Sequence, residues 1–403
     1  MSLLNVIYIA STCSREKYTE YGESKGARVS QQAQKYNLLL AEGLLENGAK
    51  VDIISSRPIN RRLYTKLWFK GERESVNGID FHYVPFVNYK IFRNVFVLFS
   101  VFFKVLFSKN KKDETVVICD ALNIVATMAA LVASSLRGFK TVGIVTDVPC
   151  HLSNMQNIPF HQKLNLAVMK KFNSYLLLTE SMSEIVNPKD RPYIVLEGHA
   201  DMSMSERENK LSEKADKKIC FYAGSLKKVY GIKNLVEGFI AAAVPDTELH
   251  IYGDGDYAGE LRELVKEYDN VKYYGVAPNS EIVEAELKAT LLVNPRPTNE
   301  EYTKYSFPSK NMEYMASGTP VLTTRLPGMP DDHKDYVFFI EKEDAEGIKE
   351  ALLSVFEHTP EELHEFGAQA KEFILKEKNN KAQAKKVLDF VARSFGMEDK
   401  KSE

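Results

Sequence analysis

Apolar and polar positions alternate along the first half of the chain in blocks that are typical of strands and helices in turn. Short apolar blocks rich in β-branched residues predict strands at residues 5–10, 51–55, 116–119, 141–146 and 175–179. A polar loop with glycines fills residues 11–29, and helical spacing follows at 30–47 and again at 122–136. Strands of this length separated by helices predict a parallel, doubly wound sheet.

The second half restarts the same pattern after a polar, highly charged stretch. Residues 199–218 show no apolar periodicity and predict a linker. Strand blocks then recur from 219–223 to 336–340, with helical patterns between them and a long one at 360–394. The sequence therefore predicts an α/β protein with two Rossmann-like domains, at residues 1–198 and 219–380. We expect a C-terminal helix within 381–403 to pack back on the first domain.

Composition adds a charge asymmetry to this picture. The 403 residues are 44% hydrophobic, and the four cysteines form no C-x-x-C pair, which favours a cytoplasmic protein without disulfides. Residues 1–200 hold 25 basic and 17 acidic residues, a net charge of +8, whereas the remainder carries −10. A basic surface gathers phosphates, anionic lipid head groups or nucleic acid. The basic half lacks the clustered cations and aromatic residues of a nucleic-acid module, so no nucleic-acid partner is expected.

The longest apolar stretch, residues 91–107, falls short of the roughly 20 residues that span a bilayer, and charged residues interrupt it. Arg93 and Lys104 are spaced so that they share one side of a helix. A basic edge on a very apolar helix is typical of a helix that lies on an anionic membrane surface. A helix that covers a sheet is the alternative, and the sequence leaves both open.

The most informative segment is YSFPSKNMEYMASGTPVL, residues 305–322. Pro308 disfavours helix before it, and Ser309 is the predicted N-cap of the helix that follows, so the free amides there and Lys310 could accept a phosphate. Glu313, one turn later, could accept hydrogen bonds from a pair of sugar hydroxyls. The segment predicts a binding unit for a phosphorylated sugar or nucleotide; the alternative is an ordinary βαβ unit with Glu313 facing solvent.

Two glycine turns precede this segment at matching places after strands. Gly224 and Ser225 follow residues 219–223, and Gly253 and Gly255 follow residues 248–252. Glycine at the carboxyl end of a parallel strand lets a ligand approach the backbone closely. The aspartates at 254 and 256 are expected to cap the next helix, so no metal site is predicted.

Together the segments AGSLKKVYGIKNLVEGF, LHIYGDGDY and SFPSKNMEYMASGTPVL resemble, in order and spacing, the carboxyl-terminal domain of GT-B nucleotide-sugar glycosyltransferases, the retaining family 4 or glycosyl transferases group 1. The first half is compatible through Gly22, Gly26 and the segment EGLLENGAKVDIIS. The resemblance implies two Rossmann-like domains whose parallel sheets face each other across a cleft. It also implies a UDP- or GDP-sugar donor that Glu313 contacts at the ribose, with no cofactor and no metal.

The chain departs from the family pattern at three positions. Tyr305 stands where the first glutamate of the E-x7-E motif is expected, and Ser225 and Tyr230 stand in place of an Arg and a Lys. Because a donor diphosphate in a poorly solvated cleft needs positive charge, we expect Lys310 and Lys304 to supply it. The predicted donor site comprises Gly224, Ser225, Lys228, Gly253, Gly255, Lys304, Tyr305, Ser306, Phe307, Pro308, Ser309, Lys310 and Glu313.

In the first domain, two aspartates follow predicted strands at the expected binding edge. Asp120 follows VVIC, and Asp147 lies in TDVPCH, which resembles the position of a His-Asp pair in the family. Either carboxylate could receive the acceptor's proton or orient the sugar, so both are candidate catalytic residues. The leaving phosphate as base, or an aspartate that caps the next element, are the alternatives. Gly22, Gly26 and His151 are the candidate acceptor-side residues.

The sequence thus predicts a cytoplasmic glycosyltransferase, and residues 91–107 leave open a peripheral contact with the inner face of the cell membrane. Its expected acceptor is a lipid-linked glycan in cell-envelope or capsular polysaccharide synthesis. A GT-B sugar-nucleotide epimerase or phosphorylase, and a non-catalytic sugar-nucleotide-binding homologue, are alternatives. The loss of charge at positions 225, 230 and 305 motivates the last of these.

Overall fold

The computed structural model describes residues 4–23, 31–59, 64–148, 159–200, 202–307 and 309–397. Two compact units account for these residues. The first contains the described residues up to His199 together with those from Asn380 onwards, and the second contains those from Ala200 to Asn379.

The first unit is built on a mostly parallel sheet. Its strands are β1 (Asn5–Ala10), β2 (Lys50–Ser55), β3 (Trp68–Phe69), β4 (Glu72–Val76), β5 (Ile79–Tyr83), β6 (Phe86–Val87), β7 (Thr115–Asp120), β8 (Lys140–Val145), β9 (Ser174–Leu177) and β10 (Tyr193–Val195). Its helices are α1 (Arg15–Glu23), α2 (Gln31–Glu46), α3 (Lys90–Leu106), α4 (Ile124–Arg137), α5 (Phe160–Met169), α6 (Met182–Val186) and α13 (Asn380–Phe395). Among the described residues, eight of these strands form the sheet in the order β10-β9-β8-β7-β1-β2-β5-β4, in which only β4 runs antiparallel to its neighbour, while β3 and β6 form a separate antiparallel pair.

The second unit is a wholly parallel sheet covered by helices. Its strands are β11 (Lys218–Ser225), β12 (Thr247–Asp254), β13 (Val271–Gly275), β14 (Leu291–Asn294), β15 (Val321–Thr324) and β16 (Phe338–Ile340). Its helices are α7 (Ile232–Ala242), α8 (Ala258–Leu264), α9 (Asn279–Lys288), α10 (Ser309–Ser317), α11 (Ala345–Phe356) and α12 (Pro360–Glu377). The order β13-β12-β11-β14-β15-β16 reverses direction between β11 and β14, and the first sheet does the same between β1 and β7. The predicted α/β class is confirmed, and these reversals are where such sheets bind ligands.

The central strands are mostly apolar, as expected of strands that are covered on both faces of each sheet. In β1, the side chains of Val6 and Tyr8 lie in one core cluster with Leu40 and Leu44 of α2, and all four are fully buried. Parallel sheets of this kind need near-continuous apolar strands rather than alternating ones. This explains why short β-branched blocks in the sequence identified the strands well.

The predicted loop at 11–29 differs from the structure, since residues 15–23 form α1. The helix packs Tyr21, which is buried, and Tyr18 on the first unit's core, and it forms ion pairs from Arg15 to Glu42 and from Lys17 to Glu72, both at 2.8 Å. A helix of 9 residues that buries only two tyrosines leaves almost no apolar period in the sequence.

The segment predicted as a linker also makes tertiary contacts, most of them within the second unit. Lys214 Nζ donates to the carbonyls of Leu287 at 2.9 Å and Ala289 at 2.8 Å, and to Thr319 Oγ1 at 3.0 Å. Burial lowers the pKa of Lys214 to about 7. Most of the 199–218 stretch therefore belongs to the second unit rather than forming a free connection.

The helical pattern at 360–394 is divided in the structure into α12, in the second unit, and α13, in the first. A capping box begins α12: the amide of Glu362 donates to Thr359 Oγ1 at 3.2 Å, and the amide of Thr359 donates to Glu362 Oε2 at 2.8 Å. The residues of α13 at 384, 387, 390 and 391 are buried in the first unit's core. In the described parts of the chain, no helix combines the length and apolarity that a membrane crossing requires.

The packing of α13 gives a stability prediction. Val387 is fully buried in the first unit's core, so Val387→Ala removes two buried carbons and leaves a small cavity. We expect unfolding free energy to fall by about 2 kcal/mol in urea denaturation. Lys385→Ala, on the exposed side of the same helix, is the control and should change stability by less than about 0.5 kcal/mol. Equal, negligible effects would show that α13 contributes no core packing.

Candidate functional site

The predicted donor residues of the second unit gather at the carboxyl edge of its sheet, beside the strand-order reversal. Gly224 and Ser225 end β11, and β12 ends at Asp254, one residue beyond Gly253. The chain leaves the adjacent β14 at Asn294, and β11 and β14 pair in parallel. Parallel strands place these ends on one edge, so the glycine turns and the loop after β14 lie at the same end of the sheet.

The Lys310 side chain is the central positive group at this edge. Its Nζ donates to the carbonyl oxygen of Ala223 and lies 4.2 Å from the ring centroid of Tyr222. A Cβ at Gly224 would overlap this nitrogen, so glycine is required at the end of β11 for the lysine to lie there. Burial lowers the pKa of Lys310 to about 8. The ammonium is poorly solvated, and an incoming phosphate would supply the hydrogen bonds that water does not.

The amino end of α10 lies at the same place. The helix begins at Ser309, which is therefore its first helical residue rather than the predicted N-cap; Pro308 lies outside the described residues. The first amides of a helix have no partner within it and favour an anion. Glu313 is exposed one turn further along, and Asn294 Nδ2 donates to Asn311 Oδ1 at 2.6 Å, which fastens the helix to β14.

Arg296 is a second cation at this edge, and the sequence-based choice of Lys310 and Lys304 did not select it. It follows β14 by two residues, and its guanidinium carbon lies 5.3 Å from the ring centroid of Tyr230 and 4.8 Å from that of Tyr302. Its Nη2 also donates to Ser306 Oγ at 3.0 Å. The aromatic ring at 230, where the family resemblance led us to expect a lysine, thus positions an arginine from another strand. The sequence signal that could have identified Arg296 was a basic residue just after β14, one of the two strands at the reversal of strand order.

The loop before α10 contains the remaining predicted residues. Lys304 is exposed and Tyr305 half-buried in a 3-10 turn, Glu301–Tyr305, while Ser306 is half-buried beyond it. Phe307 is buried, with its ring centroid 5.4 Å from that of His333. Phe307 therefore acts as an apolar anchor for the loop, and the polar residues around it face the edge or solvent.

The structure gives Lys228 and Asp256 roles that differ from those predicted. The Lys228 ammonium forms an ion pair with Glu260, which compensates its charge locally. Its backbone amide donates to Asp256 Oδ1 at 2.8 Å, so this aspartate caps the 228–230 turn rather than α8. Gly255 lies beside this pair, against the backbone of Leu226. Lys228 is thus a weaker candidate for the donor phosphates than Lys310.

In the first unit, Asp120 ends β7 at the reversal beside β1. The carboxylate is buried: its Oδ1 accepts from the amide of Leu122 at 3.1 Å, and its Oδ2 from Asn37 Nδ2 at 3.4 Å. Asn37 in turn accepts from the Tyr8 hydroxyl at 2.9 Å. Burial raises the pKa of Asp120. These partners give Asp120 a structural role at the binding edge rather than an open position for a substrate.

Asp147 is the exposed carboxylate at the same edge. It follows β8 by two residues, and its Oδ1 accepts from the amide of Val148 at 2.8 Å. An exposed carboxylate at the end of a parallel strand is able to meet a sugar hydroxyl. Among the acceptor-side candidates, Gly22 lies in the last turn of α1, whereas Gly26 and His151 lie outside the described residues.

Sequence comparison matches residues 203–373 to the model of the glycosyl transferases group 1 family. A relative among curated proteins, the N-acetyl-α-D-glucosaminyl L-malate synthase of Bacillus anthracis, is 28% identical over 181 residues. That match covers 43% of this chain and 44% of the relative, so less than half of either protein is spanned.

Comparison with solved structures extends over the whole chain. A glycosyltransferase from Rickettsia africae superposes with a TM-score of 0.67 at 14% identity, covering 100% of both chains. Anabaena HepE in complex with UDP gives a TM-score of 0.62 at 12% identity, covering 97% of this chain and 100% of the other. The GT-B fold class predicted from the sequence is confirmed.

Proposed function

We propose, on the premise that the match of residues 203–373 places the second unit in the glycosyl transferases group 1 family, that the protein moves a sugar from a UDP- or GDP-sugar to an acceptor hydroxyl, with retention at the anomeric carbon. The observation that carries the proposal is the desolvated Lys310 ammonium at the end of β11. This lysine and the first amides of α10 form an anion site at the place where doubly wound sheets bind nucleotides.

The local positive charges support this donor assignment, whereas the net charge of the second half of the chain does not. Residues 201–403 carry a net charge of −10, which repels a diphosphate at long range. Lys310 and Arg296 supply two positive groups at the edge itself. Arg296 compensates for the family charges missing at Ser225 and Tyr230, which favours a catalytic protein over a non-catalytic homologue. A UDP complex of a protein with the same fold, HepE, agrees with this choice of ligand.

The proposed chemistry needs few groups beyond the donor site. The acceptor oxygen forms a bond to the anomeric carbon while the bond from that carbon to the donor's phosphate oxygen breaks. The acceptor's proton passes to an oxygen of the leaving nucleoside diphosphate, whose charge Lys310 and the α10 amides stabilise. Asp147 orients the acceptor hydroxyl, because it is the exposed carboxylate at the first unit's binding edge.

We further propose that the acceptor is a lipid-linked glycan of cell-envelope or capsular polysaccharide synthesis, on the inner face of the cell membrane. The net charge of +8 on residues 1–200 supports this, since that half contains almost all of the proposed acceptor unit. Diphosphate-linked lipids and the surrounding anionic head groups are attracted to such a surface.

Glu313 provides the test of the donor site. It is exposed on α10, one turn from Lys310, and its proposed role is to accept hydrogen bonds from the donor's ribose. A thermal-shift screen of UDP, GDP, ADP and TDP should raise the wild-type midpoint with the cognate nucleotide. For Glu313→Ala, calorimetry should then give an affinity about tenfold weaker, with an unchanged midpoint in the absence of nucleotide.

Glu372→Ala is the matched control, because Glu372 is likewise exposed on a helix of the second unit, α12. Its nucleotide affinity should equal that of the wild type. If Glu313→Ala binds as tightly as this control, the assignment of the ribose contact is wrong. If no nucleotide shifts the wild-type midpoint, the donor proposal as a whole fails.

A further inference from the structure

Helix α3 carries a row of aromatic side chains that faces solvent. Ile91 is 70% exposed, Phe92 57%, Phe99 53% and Phe107, directly after the helix, 71%. The rings of Phe99, Phe103 and Phe107 stack along this row, with centroids 6.3 Å and 5.8 Å apart. A continuous apolar surface of this kind on a water-soluble protein indicates an interaction site.

The opposite face of α3 already serves the fold. Val97, Val101 and Val105 are buried, and α3 packs along the small-residue helix α4. The outward aromatic row is therefore not needed for packing within the first unit. Lone exposed apolar residues are common, but a whole exposed row on an already packed helix is not.

Trp68 extends this surface, and the chain contains no other tryptophan. It is 45% exposed, and its ring lies edge-on to that of Phe96 with the centroids 5.3 Å apart. We call the surface formed by Trp68, Phe92, Phe96, Phe99, Phe103 and Phe107 the α3 patch. Tryptophan is enriched where an apolar phase meets water, because its ring is apolar and its N–H is polar.

Basic residues predominate around the α3 patch. Residues 81–112 contain six Lys or Arg and no Asp or Glu, and residues 121–146, which include α4, also contain no acidic residue. Lys66, just before β3, and Lys109 and Lys111, just after α3, are exposed, and Lys111 forms a surface ion pair with Glu114 at 3.3 Å. An apolar row flanked by lysines matches an anionic lipid surface, whose acyl chains and head groups require both.

Arg93 does not belong to this basic rim, contrary to the sequence-based pairing with Lys104. Its guanidinium donates to the carbonyls of Ile59, Ser56 and Arg57, the latter two at 3.0 Å and 2.9 Å. Burial lowers its pKa to about 10. Lys104 is half-buried, and burial lowers its pKa as well. Arg93 therefore holds the preceding loop in place, and the charges available to head groups are those at the ends of the helix.

We propose that the α3 patch docks the protein on an anionic phospholipid bilayer, with α3 lying in the plane of the surface. The phenyl rings enter the boundary between head groups and acyl chains, and the lysines at either end of the helix contact lipid phosphates. A second copy of this chain is a poorer occupant, because a symmetric contact would bring the same basic rims together. The inference deepens the proposed lipid-linked acceptor and is independent of the donor site.

Vesicle binding of the full chain, without nucleotide, tests this inference. With vesicles of phosphatidylcholine and phosphatidylglycerol, the protein should co-sediment and the Trp68 emission should shift to shorter wavelength. Phosphatidylcholine alone should bind it more weakly, and added salt should remove this difference because it screens the charges. Phe99→Ser should weaken binding about tenfold. Lys109→Glu with Lys111→Glu should abolish the preference for the anionic lipid.

Leu353→Ser is the matched control, since Leu353 is 40% exposed on α11, outside the α3 patch, and its loss should not change vesicle binding. The inference is overturned if the wild type ignores both vesicles, or if Phe99→Ser and the control bind alike. Self-association in sedimentation velocity that Phe99→Ser abolishes, without vesicle binding, would assign the α3 patch to a dimer. UDP or GDP binding is measured separately, so failure here leaves the donor site standing.

Discussion

Lys310→Gln is expected to lower kcat/KM for the nucleotide sugar by about 100-fold or more, a loss typical of removing one charged donor from a transition-state anion site. The reason lies in its position: the ammonium bonds to the Ala223 carbonyl over the end of β11, where Gly224 leaves space for it. Glutamine keeps most of the length but loses the charge that a leaving diphosphate requires. The measurement is initial-rate kinetics, with a nucleotide sugar that carries the nucleotide identified by the thermal-shift screen as the substrate.

The same lysine sets a pH dependence with a definite sign. Burial lowers the pKa of Lys310 to about 8, so the free site loses its positive charge as pH rises through that value. Affinity for the nucleoside diphosphate should therefore fall above pH 8 in the wild type, and this dependence should be absent in Lys310→Gln. Folding stability should change in the opposite direction. The unfolded chain holds the proton up to its ordinary pKa, so stability rises between pH 8 and that value.

Lys233→Gln is the control for this change, because Lys233 is exposed on α7 and lies 3.7 Å from Glu237. It should retain wild-type kinetics. Lys310→Gln should fold with an unchanged or higher midpoint, since a desolvated charge is removed. Full activity in Lys310→Gln, or a pH profile identical to that of the wild type, would refute the role of this lysine.

Gly253→Ala is expected to destabilise the second unit by about 4 kcal/mol or more, enough to unfold a marginal domain. Gly253 has φ +130°, a conformation that side chains disfavour, and a Cβ there would overlap the carbonyl oxygen of Gly224 on the neighbouring strand. The two backbones pair directly at this point, so neither can move away without breaking the sheet. Urea denaturation followed by far-UV circular dichroism measures the loss.

Gly259→Ala provides the comparison for this prediction. Gly259 lies in α8 with open space around its Cβ position, so alanine should stabilise the protein by roughly 0.5–1 kcal/mol through helix propensity. Opposite effects of the same substitution at positions only six residues apart would isolate the backbone geometry as the cause. Similar effects at both glycines would contradict the close approach of β11 and β12.

Much of the fold was predictable from the sequence because its strands are buried on both faces. Such strands appear as short apolar blocks, as in Asn5–Ala10, whatever their partners. The elements that were missed depend on distant residues. Helix α1 packs its two tyrosines on the first unit's core, and the chain passes from the second unit to the first between the end of α12 and the start of α13. A pattern within one window carries no information about such contacts.

The candidate site was likewise predictable in part: the residues that follow local rules were found, and those that depend on distant contacts were missed. Lys310, Glu313 and the glycines at 224 and 253 follow from local rules for strand ends and helix starts, and the structure brings Lys310 to the β11 end. The sequence-based prediction missed Arg296 as a candidate cation, because the tyrosines whose rings it contacts, Tyr230 and Tyr302, lie in separate loops. Lys228 was chosen for its nearness to Gly224 in sequence, but Glu260 on α8 pairs with it.

The sequence by itself determined the α/β class, the places where strands end in glycine, and the predominance of basic residues around α3. These are properties of composition and short-range spacing, which survive in any arrangement of the elements. Only the tertiary structure decided which cations are available to bind a ligand. The Arg93 guanidinium donates hydrogen bonds to three backbone carbonyls, whereas the Lys310 ammonium lies at the end of β11, where it donates to the Ala223 carbonyl. The reason is physical, because the free energy of a charge depends on its solvent and partners, and both are set by residues distant in sequence.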